Sequence, residues 1–287
     1  MFAEEWPLMF FTLLTQLAVG SYLFFVIIRT FSGSDSNLAV NATKKGMFLI
    51  GPIMLLALIL SVFHLGDPFG AYRSILNLGS SWLSREIVFA GGFFFLWIVS
   101  YLMERKGNWS KAVGWITALV GLGAIFSMAS IYATSVKPAW TDVNTYFAFY
   151  GTTIVFGAAA SIIAVLFSKE EKSDRLISLL KGIGIAGIAA VIIQLVYLPV
   201  YTSGLLTDGG EAGMASVAIL KESYGIASII RWLLTVTGLA AIGWALYRRM
   251  DARNKSFVYA AALIFVLVGE FLGRYIFYGT GVSMFIG

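Results

Sequence analysis

Eight runs of about twenty or more mostly apolar residues, separated by short polar connections, dominate this 287-residue sequence. A run of that length crosses the hydrocarbon core of a bilayer as a helix. Lipid offers no partner for backbone N–H and C=O groups, so the segment must pair them internally. The runs fall near 7–30, 46–65, 84–103, 112–136, 145–168, 179–201, 223–247 and 256–277. Charged residues make up only 12% of the chain, against about 25% in soluble domains, and mean hydropathy is +0.85. A water-facing surface cannot be built from that composition. Ordinary soluble enzymes, disordered chains and collagen-like repeats are excluded.

The expected fold is therefore all-α, a bundle of eight transmembrane helices. Glu4 and Glu5 stand where a signal peptide would carry basic residues, and the apolar run after them is too long for one. The first run is read as a retained span. No connection is long enough for a soluble domain and no fixed-period repeat appears, so 1–287 reads as one domain. The longest connection, 202–222, holds Gly204, Gly209, Gly210 and Gly213 and is expected to be a surface loop or lid.

Lysine and arginine set the orientation. Arg29, Lys44 and Lys45 flank the first connection; Arg105, Lys106 and Lys111 the third. Lys169, Lys172, Arg175 and Lys181 mark the fifth, and Arg248, Arg249, Arg253 and Lys255 the seventh. Alternate connections thus hold 14 of the 20 basic residues. Positive charge accumulates in cytoplasmic loops, so both termini are expected outside. The same arrangement explains the basic pI near 9.3 without a nucleic-acid partner.

The chain has no cysteine and one histidine, His64. It can supply no thiolate metal site, no disulfide, no iron–sulfur ligands and no pair of histidines for a b-type haem. A charge within the membrane costs about 2.5–3.5 kcal/mol on insertion scales, so each needs a reason. Four places stand out, all expected toward the outer face: the stretch His64-Leu65-Gly66-Asp67-Pro68, then Ser84-Arg85-Glu86, then Arg231, then Glu270 with Arg274. His64 is either a polar cap on a helix stopped by Gly66 and Pro68 or a group that binds a ligand oxygen and moves a proton. Glu86 either favours a helix N-terminus or accepts protons beside His64. Glu270 and Arg274 are four residues apart and expected to form a structural ion pair, with Gly269 and Gly273 permitting close helix contact. Arg231 either snorkels to the interface or orients a bound head group. Trp6, Trp82, Trp140 and Trp232 fall near outer ends, where they can wall a flat ring. The match Gly182-Ile183-Gly184-Ile185-Ala186-Gly187 to a dinucleotide fingerprint lies inside a span and is read as helix packing.

Taken in order, Glu5-Trp6-Pro7-Leu8-Met9, His64-Leu65-Gly66-Asp67-Pro68, Leu83-Ser84-Arg85-Glu86-Ile87, Gly269-Glu270-Phe271-Leu272-Gly273-Arg274 and Phe277-Tyr278-Gly279 resemble the membrane anchor subunit of dimethyl sulfoxide reductase over the whole sequence. That resemblance implies a haem-free eight-helix bundle in a prokaryotic cytoplasmic membrane. Such a subunit oxidises menaquinol and docks an iron–sulfur electron-transfer subunit, which feeds a molybdopterin catalytic subunit on the outer face. It further implies that His64 and Glu86 line the quinol site, as the groups that handle the proton. Arg73, Arg231 and Trp82 complete the expected set around the head group. The family can carry a basic residue two positions after the proline of the His-Leu-Gly-x-Pro stretch; here that position is Gly70, and Arg73 is the nearest substitute. The rival readings are a small proton or ion transporter using His64 and the Glu270–Arg274 pair, and a purely structural anchor.

The charge distribution predicts that a compartment-sensitive reporter fused after Gly287 is active only outside the cytoplasm. Activity in the cytoplasm would reverse the orientation.

Overall fold

The computed structural model describes residues 2–64, 77–248 and 256–284. Within them the chain forms nine α-helices: α1 (Phe2–Phe31), α2 (Ser36–His64), α3 (Trp82–Arg105), α4 (Lys111–Ala133), α5 (Asn144–Leu166), α6 (Asp174–Thr207), α7 (Gly210–Glu222), α8 (Gly225–Tyr247) and α9 (Ser256–Gly279). All but α7 are long and apolar enough to cross a membrane. Those eight spans follow the expected order, and this is a multi-pass membrane protein. Ser81, Ser110 and Ser173 cap α3, α4 and α6 by accepting from Ser84 N, Val113 N and Leu176 N, which fixes where these spans begin.

Two expectations are corrected. α2 starts at Ser36, about ten residues before the apolar run, so Lys44 and Lys45 ride on the helix instead of lying in a connection. The stretch expected as a loop or lid is helical. α6 continues through Pro199 to Thr207, and α7 follows at once. Gly210 makes the break, with φ at +59°, a conformation that costs a glycine little. Gly209 and Gly213 serve contact rather than mobility. A Cβ on Gly209 or Gly213 would lie 2.5 or 2.4 Å from the Leu205 carbonyl oxygen, so both let α7 fold tightly back on α6.

α1 and α5 are the centre of the bundle: 78% and 67% of their most apolar windows are buried, against 22–50% elsewhere. They meet backbone to backbone. A Cβ on Gly20 would sit 2.0 Å from the Thr153 carbonyl oxygen, and one on Gly157 would sit 2.4 Å from the Gly20 carbonyl. α2 and α4 flank α1, α6 packs on α5, and α8 and α9 pair at the side. The α8–α9 pair uses the glycines singled out by sequence. Gly269 and Gly273 leave room for the Thr235 hydroxyl and the Arg231 side chain, at 2.3 and 2.4 Å from a hypothetical Cβ. The fingerprint look-alike in α6 is only partly a packing element. Gly187 meets Ala158 of α5, while Gly182 has nothing within 4 Å.

One end of the bundle is locked by a buried ion pair. Arg29, 1% exposed, donates to both carboxylate oxygens of Glu104 at 2.7 and 3.1 Å, to the Thr43 hydroxyl at 2.7 Å and to the Val40 carbonyl at 3.3 Å. It joins α1, α2 and α3. Such a bidentate pair with its remaining donors satisfied is the arrangement that offsets desolvation.

The central crossing predicts a sharp contrast among glycines. Gly20→Val and Gly157→Val should abolish recovery of monodisperse protein in detergent, because only backbone faces the new side chain. Gly182→Ala should leave recovery unchanged. Equal recovery of all three would mean that the crossing does not hold the bundle.

Candidate functional site

The end of the bundle opposite the Arg29–Glu104 pair carries a layer of buried polar groups from several spans. α3 enters it with Glu86. The inward stripe of α3 reads Glu86, Ala90, Phe93, Trp97, Ser100 and Glu104, so a carboxyl stands where the helical period calls for a core residue. Glu86 is 4% exposed and has no hydrogen-bond or ion-pair partner among the described residues. Its neighbour Arg85 is committed elsewhere. Its guanidinium donates to the carbonyls of Leu78 and Gly79 at 2.8 and 2.7 Å and lies 4.1 Å over the Trp82 ring. Trp82 in turn meets Phe126 edge-on at 5.5 Å. These contacts fix the start of α3 and turn Glu86 inward.

Two tyrosines meet in this layer. The hydroxyls of Tyr132 in α4 and Tyr278 in α9 share a hydrogen bond of 2.7 Å, at the same end of the bundle as Glu86. Around them Trp140, Phe149 and Phe277 close an aromatic cluster. Trp140 stacks on Phe277 at 5.5 Å and donates its indole N–H to the Phe277 carbonyl at 2.8 Å. Tyr132 meets Trp140, Phe149 and Phe277 at 5.1–5.6 Å. A carboxyl, two hydroxyls and rigid rings therefore occupy one end of the bundle.

Glu270 and Arg274 do not form the expected ion pair among the described residues. Both lie inward on α9, as their spacing requires, but each is held by a different helix. Glu270, 1% exposed, accepts from the Thr152 hydroxyl of α5 at 2.5 Å and the Thr235 hydroxyl of α8 at 3.2 Å. Arg274, 3% exposed, donates to Gln16 Oε1 of α1 at 3.0 Å and lies 3.7 Å over the Phe149 ring. The side chain of residue 274 thus extends toward α1 while that of residue 270 inserts between α5 and α8. Two nitrogens of Arg274, Nε and Nη1, have no partner among the described residues. Gln16 completes the join by donating to the Phe149 carbonyl at 3.1 Å.

Arg231 belongs to another flank. It passes over Gly273, donates to Gln194 Oε1 of α6 at 3.1 Å and lies 4.1 Å over the Trp232 ring. With Trp232, Tyr201 and Lys221 it lines a cavity of about 250 Å³ between α5, α6, α7, α8 and α9. The structure joins Tyr132 to Tyr278 at the end of the bundle where Glu86 lies, and it gives Arg231 no described contact with Glu86. His64 is the last residue of α2; its side chain, and Arg73 altogether, lie outside the described residues.

Sequence reading missed Gln16, Thr152, Gln194, Thr235, Tyr132 and Tyr278. The signal was present for the two glutamines, since an amide deep in an apolar run needs a partner as a charge does. For Tyr132 and the threonines, which are common in spans, nothing separated these positions from others, and Tyr278 stood out only within the stretch Phe277-Tyr278-Gly279, with no role of its own.

Residues 1–280 match the family model described as "DMSO reductase anchor subunit (DmsC)". Among curated proteins, the sequence is 30% identical to the YnfH subunit of an anaerobic dimethyl sulfoxide reductase of Escherichia coli (strain K12), over 98% of this protein and 96% of that one. It is 28% identical to the C subunit of the anaerobic dimethyl sulfoxide reductase of Haemophilus influenzae, over 97% and 95%. With the corresponding C subunit of Escherichia coli (strain K12) the identity is 25%, over 98% and 96%.

Proposed function

The protein belongs to the DMSO reductase anchor subunit family, and we propose that it oxidises menaquinol and hands the electrons to an iron–sulfur partner subunit docked on the same face. The observation that carries this reading is the buried carboxyl of Glu86, unpartnered among the described residues, at the same end of the bundle as the Tyr132–Tyr278 hydroxyl pair and on the span that follows the His64 helix end. A carboxyl held in an apolar interior without a partner is unfavourable as an anion. Chemistry that delivers protons and removes them gives a reason to keep one there.

In the proposed reaction a quinol loses two protons and two electrons and leaves as the quinone. Glu86 takes a hydroxyl proton, with His64 as the second group on the proton's route to the outer phase. Trp82 and the aromatic cluster supply a wall for the ring. Arg73 and Arg231 are the cations expected around the head group; Arg231 acts from the α8–α9 flank through the Gln194 contact. With no cysteine and one histidine in the sequence, the electrons pass to the iron–sulfur partner, and from it to a molybdopterin catalytic subunit. Both termini and this face lie outside the cytoplasmic membrane of a prokaryote. By contrast, a transporter would place its charges near the midplane, at broken helices; here Glu86, Arg231, Glu270 and Arg274 share one half of the bundle.

The test supplies electrons to the intact complex in two ways. Reduced viologen dye enters at the partner subunits, and a menaquinol analogue must pass through the anchor. His64→Ala and Glu86→Gln should keep dye-linked activity and lose quinol-linked activity by about 10²–10⁴-fold, the range for loss of a general base. Quinol-linked turnover near the parental rate in Glu86→Gln would remove the carboxyl from the reaction. Loss of both activities together would make these residues structural.

A further inference from the structure

At the end of the bundle opposite Glu86, α2 and α3 meet through Trp97. Its ring fills the space over Gly51, where a Cβ would lie 1.8 Å from the indole, and its N–H donates to the Met47 carbonyl at 2.8 Å. Phe94, Trp97 and Tyr101 stack in a column along α3, with centroids 5.8 and 5.4 Å apart. The column packs against α2, and Tyr101 meets Phe48 of α2 with centroids 5.8 Å apart. Beyond it a groove of about 870 Å³ opens, lined by Lys44, Lys45, Phe48 and Leu49 of α2 and by Tyr101, Glu104 and Arg105 of α3.

The lining is divided by chemistry. Three cations, Lys44, Lys45 and Arg105, sit at its mouth, and none of them has a side-chain hydrogen bond or ion pair among the described residues. The one acid, Glu104, is already held by both arms of Arg29, so it leaves the cations unneutralised. One turn further along α2 the lining is apolar: Phe48 and Leu49 are 47% and 54% exposed. From them an outward row, Leu55, Leu56 and Ile59, continues along α2 toward the bilayer centre. A cationic mouth above a greasy slot at membrane depth is complementary to an amphiphile with a phosphate head and acyl tails.

We infer that this groove binds an anionic phospholipid of the adjacent leaflet, with its phosphate on Lys44, Lys45 and Arg105 and an acyl tail against Phe48 and Leu49. Basic pockets between membrane helices recognise lipid head groups by this combination. The site is independent of quinol chemistry, since it lies at the far end of α3 from Glu86.

The test uses the full complex reconstituted in bilayers of phosphatidylcholine with phosphatidylglycerol, then stripped with detergent and weighed by native mass spectrometry. The parental protein should retain phosphatidylglycerol. The triple variant Lys44→Gln, Lys45→Gln, Arg105→Gln should lose it by roughly a hundredfold, as expected for three interfacial cations. Lys106→Gln, Lys111→Gln, Lys169→Gln, with the same net charge and no residue in the groove, should retain it. Leu49→Trp keeps every charge but fills the slot, and should lose it as well. Equal retention in all variants, equal loss in both charge triples, or retention by Leu49→Trp would each overturn the site. Displacement of the lipid by excess inorganic phosphate would show a free-anion site instead of a lipid site.

Discussion

The backbone contact between α1 and α5 at Gly20 and Gly157 sets the frame for the rest of the molecule. In lipid, apolar surface gives helices no reason to associate; close packing and polar contacts must do it. Two glycines that admit a carbonyl at Cβ distance supply the packing. They also fix the height of the polar groups on the same helices. Gln16 lies one turn from Gly20, and Thr152 lies just over a turn from Gly157. These two reach the α9 side chains Arg274 and Glu270. A side chain at the crossing would separate α1 from α5 and with them both contacts.

Against that frame the buried charges fall into two kinds. Arg29 and Glu104 satisfy one another at one end. Glu270 accepts from two threonines, and Arg274 has an amide and a ring face. Each of these ties helices together, and each is what a bundle needs to hold its shape. Glu86 ties nothing among the described residues. Among the described residues it is the buried acid to which the packing gives no partner, and it lies on the span after His64, at the end of the bundle where Tyr132 and Tyr278 meet. That contrast is the physical basis for assigning it a role in proton transfer, and for reading Glu270 and Arg274 as structure.

Much of the fold was legible because the bilayer makes length and hydropathy decisive. Eight runs became eight spans, and Gly269 and Gly273 became a close helix contact. Where sequence reading failed, it failed on local rules overridden by tertiary contact. The glycines at 209, 210 and 213 suggested mobility, yet two of them serve tight packing on Leu205 and the third makes a sharp break between helices. The spacing of Glu270 and Arg274 suggested a pair, but Thr152, Thr235 and Gln16, on three other helices, offered each residue its own partner. Arg29 looked like an orienting cation of the first connection. Only the return of α3 beside α1 brings Glu104 to it, and no local pattern announces that. At the site, Glu86 was visible as a charge on an apolar stripe, whereas Tyr132 and Tyr278 become neighbours only where the ends of α4 and α9 meet.

The central claim is that Glu86, alone among the buried carboxyls, changes its protonation when quinol is oxidised. Infrared difference spectroscopy of the intact complex, recorded between its quinol- and quinone-loaded states, reads this directly. The account predicts a carboxyl C=O band that disappears in Glu86→Gln and persists in Glu270→Gln. A band that survives Glu86→Gln, or vanishes with Glu270→Gln, would contradict it.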